Sequence, residues 1–73
     1  MAELDLAEAA LRSALALHPG SVILLNNLAQ TLSDAGRGAE ALELIDRVAH
    51  EDSQFAGAID HTRALIRQRL SQP

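Results

Sequence analysis

Three imidazoles, ten carboxylates and six guanidiniums are the groups in this 73-residue chain with which chemistry could be done. An enzyme site needs a nucleophile with a base and an orienting group, or a set of metal donors. The chain has no cysteine, tyrosine, tryptophan or lysine, and its serines lie in no G-x-S-x-G turn. It holds no glycine-rich phosphate loop. The zinc signature H-E-x-x-H is also missing, because His50 and Glu51 are followed by Asp52, Ser53 and Gln54. One constellation has suitable donors, namely His50, Asp52 and His61, provided that the turn between them brings them together. The simpler reading of His18 and His50 is that each sits near a helix C-terminus, where a partly protonated imidazole interacts favourably with the helix dipole. No cofactor or metal is expected, and no catalysis.

The charges exclude further classes. A net charge of −4 and a single aromatic, Phe55, are wrong for a nucleic-acid binder, which needs a basic face and often stacking rings. Nine of the ten acids lie in residues 1–52, against Arg12, Arg37 and Arg47, whereas residues 53–73 set Asp60 against Arg63, Arg67 and Arg69. This is an acidic body with a basic last helix whose cations complement that helix's C-terminus. Three arginines are too few to define a membrane or anion site. No run approaches the roughly 20 apolar residues of a membrane span, and Glu3 and Asp5 replace the basic start of a secretory signal. The expectation is a cytoplasmic protein that contacts neither nucleic acid nor membrane.

The elements that carry these groups are helical. Alanine and leucine dominate, which suits packed helices better than sheets. His18-Pro19-Gly20-Ser21 stops one helix and offers Ser21 as the N-cap of the next; the glycines at Gly36 and Gly38 end the second; Asp52 or Ser53 would cap the last. Helices are therefore predicted at about 5–17, 22–35, 39–50 and 54–70, short and joined tightly enough to pack antiparallel. Each has an apolar stripe at helical spacing. The first uses Leu4, Ala7, Leu11, Ala14 and Leu15, flanked by Ala10 and Leu17. The second uses Leu25, Leu28 and Leu32 with Ala29, leaving Asn26, Gln30, Ser33 and Asp34 opposite. The third uses Ala41, Leu44, Ile45 and Val48, and the fourth Phe55, Ile59, Thr62, Ile66 and Leu70. A chain this small buries only about 60% of the surface that its unfolded form exposes, so stability is expected to be marginal. Helices of three or four turns broken by glycine and proline are too short for a coiled coil.

A shift of 34 residues superposes Ala7 on Ala41, Leu11 on Ile45 and Ala14 on Val48, and likewise Leu25 on Ile59 and Leu32 on Ile66. Leu25, Leu28, Ala29 and Leu32 then fill the positions W-x2-L-G-x2-Y, and Ala41 with Ile45 fill Ala-x3-Phe. On these residues the chain resembles the tetratricopeptide repeat family. The resemblance implies an all-α stack of four short antiparallel helices, divided into a half repeat at 5–21, a full repeat at 22–55 and a capping helix at 56–70. Leucine stands for both aromatics and alanine for the glycine, and Ser53 replaces the second proline. Ala29 and Ala41 are still small enough to let helices approach closely.

The same resemblance implies a non-enzymatic module that binds another protein or a peptide. In the family a concave surface lined by the polar side of each first helix holds an extended ligand. Carried over, the lining is Ile23, Asn26, Asn27, Gln30, Ser33 and Asp34, joined by Asp60, His61 and Ala64. Asn27 takes the place where many members use an asparagine amide as donor and acceptor to the ligand backbone. The basic positions that clamp a terminal carboxylate in some members hold Ile23, Asn26, Gly57 and Asp60, so that specificity is not expected. Ala2 falls where Gly36 does, so no helix precedes the first to cover Leu6, Ala7, Ala10, Ala14 and Leu17. Such a face favours a homodimer or attachment to a longer protein that carries any activity elsewhere.

Overall fold

The computed structural model describes residues 3–48 and 54–72. Among them are four helices and no strand: α1 (Glu3–Leu17), α2 (Val22–Asp34), α3 (Gly38–Val48) and α4 (Ala56–Leu70). This is the expected all-α stack. Its ends are set by the residues that punctuate the sequence. Ser21 caps α2, its Oγ accepting from the Leu24 N–H at 3.2 Å, and the preceding turn closes through Ser21 N–H to His18 O at 3.1 Å. Gly36, at φ +82°, ends α2 in the left-handed conformation that side chains other than glycine's rarely adopt. The Arg37 N–H then reaches back to Leu32 O at 2.8 Å and the Gly36 N–H to Ser33 O at 3.0 Å. These two bonds satisfy the orphan carbonyls of α2 and turn the chain directly into α3.

Two helix starts differ from expectation by two residues, that of α1 falling at Glu3 rather than 5. Helix α4 starts at Ala56 rather than 54, with Phe55 at its N-cap and no side-chain cap bond there. Asp52 and Ser53, the expected caps, lie outside the described residues, as do the last two residues expected of α3.

Among the described residues, the fully buried apolar ones all come from α2, α3 and α4: Leu28, Ala29 and Leu32; Ala41, Ile45 and Val48; Ile59 and Ile66. Ala29 and Ala41 are completely enclosed, so the small positions do permit the close α2–α3 approach. Leu11, Leu15, Leu25, Leu44 and Phe55 pack against this core without being sealed in. Helix α1 buries no residue fully, and Leu17, expected beside its stripe, is 78% exposed. Leu70, expected on the stripe of α4, is 47% exposed because it lies in the last turn, beyond Ile66. Ser33 is the converse case: expected on the polar side, it is buried, because α4 covers that flank of α2. No described helix is long and apolar enough to cross a membrane.

Candidate functional site

Helices α2 and α4 lie side by side and run in the same sense, since Gln30 meets Thr62 and, further along both, Asp34 meets Arg69. Thr62 is brought into the core by the spacing that buries Ile59 and Ile66. Its hydroxyl accepts from Gln30 Nε2 at 3.1 Å, which satisfies a polar group in an otherwise aliphatic contact. At the far end Arg69 Nη1 donates to Asp34 Oδ1 at 2.8 Å and lies 3.5 Å from Ser33 Oγ. Beside these two cross-links lies a cleft of about 460 Å³. From α2 it is lined by Gln30, Ser33 and Asp34; from α4 it is lined by Thr62, Leu65, Ile66, Gln68 and Arg69, with Gln72 beyond the helix.

The cleft therefore brings together three of the residues expected on the binding surface, Gln30, Ser33 and Asp34. Ile23 and Asn27 lie on the same exposed side of α2, two turns and one turn before Gln30 respectively, and outside the cleft; Ile23 is 52% exposed. Asn26 does not turn out to solvent as expected. It is half-buried, and its Oδ1 is enclosed with no hydrogen-bond partner. Asp60 is drawn to another side of α4, where it pairs with Arg63 at 3.2 Å, and Arg63 in turn approaches Asp46 of α3 at 3.7 Å. His61 and Ala64 are exposed and do not line the cleft. Leu65, Gln68, Arg69 and Gln72 carry no motif; their signal was phase alone, since 62, 65, 69 and 72 follow one helical stripe beside the core.

The chemistry available in the cleft is recognition. Carboxamides offer donors and acceptors together, Leu65 and Ile66 supply an apolar strip, and the one acid and one cation neutralise each other. Among the described residues no three His, Asp or Glu side chains are grouped to hold a metal ion. His50 and Asp52 of the zinc constellation lie outside those residues. His18 follows α1 directly, its N–H bonded to Ala14 O at 3.0 Å, at the C-terminal end expected of it.

Apart from the cleft, α1, α3 and the turn before α3 carry a closed ring of four charges. Glu8 accepts from Arg12 at 2.9 Å and Arg37 at 2.6 Å, and Glu40 accepts from the same two at 3.0 and 2.7 Å. The Arg12 and Arg37 guanidiniums hold the Glu8 carboxyl below its ordinary value. Glu40, and after it Glu8, hold Arg37 above its own. On α1 itself, Leu6, Ala10 and Leu17 are exposed whereas Ala7 and Ala14 are half-buried, so the face expected to self-associate is split between solvent and packing.

Two same-sense helices, each preceding or following a partner helix at a 34-residue interval with alanines at the crossing, are the geometry of a stacked repeat. A family model described as tetratricopeptide repeat matches residues 2–66. The chain belongs to the tetratricopeptide repeat family. No curated protein and no solved structure matches it. Membership places the chain in a family of protein-interaction modules.

Proposed function

We propose that this tetratricopeptide repeat chain is a non-enzymatic module that binds an extended segment of another protein in the cleft between α2 and α4. The observation that carries this reading is the composition of the cleft: Gln30 on α2, and Gln68 with the half-exposed Leu65 on α4, line one opening of about 460 Å³. Carboxamides bond to a peptide backbone in either direction, and Leu65 gives one ligand side chain an apolar seat. From Gln30 the ligand continues over Asn27 and Ile23, the exposed stripe of α2. The test is a display library of random decapeptides panned against the full chain. Enriched peptides should lose binding to Leu65→Glu, a substitution at a half-exposed position, and bind Asn27→Ala more weakly by roughly 1 kcal/mol. Peptides that bind both variants as well as the parent would place recognition elsewhere.

A second reading has its own support. Leu6 and Leu17 of α1 are 61% and 78% exposed, an apolar allotment that suits self-association as a homodimer or docking on further repeats of a larger protein. Native mass at tens of micromolar tests the dimer, which requires a concentration-dependent doubling.

A further inference from the structure

Helix α1 is anchored differently from the rest of the molecule. It buries no residue fully, whereas α2, α3 and α4 together supply every sealed core position. It packs on α2, but no Cα of α1 comes within 8 Å of one in α3. A cleft of about 240 Å³, floored by Leu32 and Leu44, opens beside that gap. What spans from α1 to α3 and its leading turn is the charge ring of Glu8, Arg12, Arg37 and Glu40.

The ring alternates in sign, so each charge has two opposite neighbours. Removing any one of them abolishes two of the four contacts and leaves two like charges flanking a single partner. This closed geometry sets it apart from isolated surface pairs, whose contribution is small. Three of its members are between 42% and 49% exposed, so dissolved ions reach it. The apolar contacts of α1, through Leu11 and Leu15, reach the core only from outside.

We infer that α1 is a strap latched by this ring: it undocks from α2 as a unit when the ring is screened or broken, while α2, α3 and α4 stay folded on their shared core. Ionic strength then sets how much of the α2 surface beneath α1 is uncovered. The latch shares no residue with the α2–α4 cleft.

Amide hydrogen exchange on the full chain, read residue by residue, tests this. Between about 20 mM and 1 M sodium chloride the α1 amides should exchange about fivefold faster, and the core amides of α2, α3 and α4 should change by less than about twofold. Glu8→Gln should make α1 exchange fast at both salt concentrations. Inverting the whole ring, with Glu8→Arg, Arg12→Glu, Arg37→Glu and Glu40→Arg, should restore salt-sensitive protection. If α1 exchanges in step with the other helices at every salt concentration, or keeps its salt response in Glu8→Gln, the strap is overturned. Should a variant fail to fold, the salt series on the unaltered chain decides alone.

Discussion

Leu70 closes over Gly38: a Cβ placed on that glycine would stand 2.6 Å from Leu70 Cδ2 and 2.9 Å from its Cγ. The last turn of α4 thus rests on the first residue of α3, and a side chain there must push Leu70 away. Leu70 is half-exposed and can swing aside, so the clash converts into lost packing. Gly38→Ala should lower stability by about 1 kcal/mol in urea unfolding, despite alanine's better helix propensity. In a Leu70→Ala background the same substitution should be neutral or stabilising.

Leu28 and Asn27 are adjacent, yet one is fully buried and the other exposed. Leu28→Ala should cost roughly 2 to 5 kcal/mol, because it opens a cavity among aliphatic neighbours. Asn27→Ala should leave the melting temperature almost unchanged, since the bond that Thr31 Oγ1 makes to residue 27 uses the backbone carbonyl. Thermal melts of the two variants check the phase of α2.

Asn26 holds an enclosed carboxamide oxygen that bonds to nothing. Burying an unmet acceptor costs free energy that an apolar side chain of similar size does not. Asn26→Leu should therefore raise stability by about 1 kcal/mol. Equilibrium denaturation is the measurement, and a loss of similar size would show that the amide group is used.

Glu8 links stability to acid. Its carboxyl is held below the ordinary value of 4.5 in the folded chain, so at mildly acidic pH the unfolded state binds the proton more readily. Stability then rises with pH through that range, is fully present above about 4.5, and is lost as pH falls toward the depressed folded value. Urea midpoints between about pH 3 and 7 should show this slope, and Glu8→Gln should flatten it.

Much of this arrangement was legible in the order of residues. Ser21, Gly36 and the apolar spacing locate α2 because caps and helical periodicity are local properties. The 34-residue shift identifies the stack because Ala29 and Ala41 have to be small wherever helices cross. What escaped notice depends on contacts distant in sequence. Ser33 looks like a solvent residue until α4 is laid beside it, and Leu65 looks like one more leucine until Thr62 sets the phase of α4. Asp60, one residue from His61, points to a different neighbour because a helix turns by 100° per residue. The ring at Glu8 joins residues about thirty positions apart, which no local pattern announces.

The bond from Gln30 to Thr62 has one more consequence. Aliphatic surfaces slide over one another at little cost, and apart from Arg69 with Ser33 and Asp34 at the helix ends the α2–α4 contact is largely aliphatic. A hydroxyl sealed inside it tolerates only the alignment that delivers its donor, because a shift of one residue leaves the oxygen dry and unmet. Thr62 works like a dowel between two planks, tying the register of α4 on α2 to the place of Gln30.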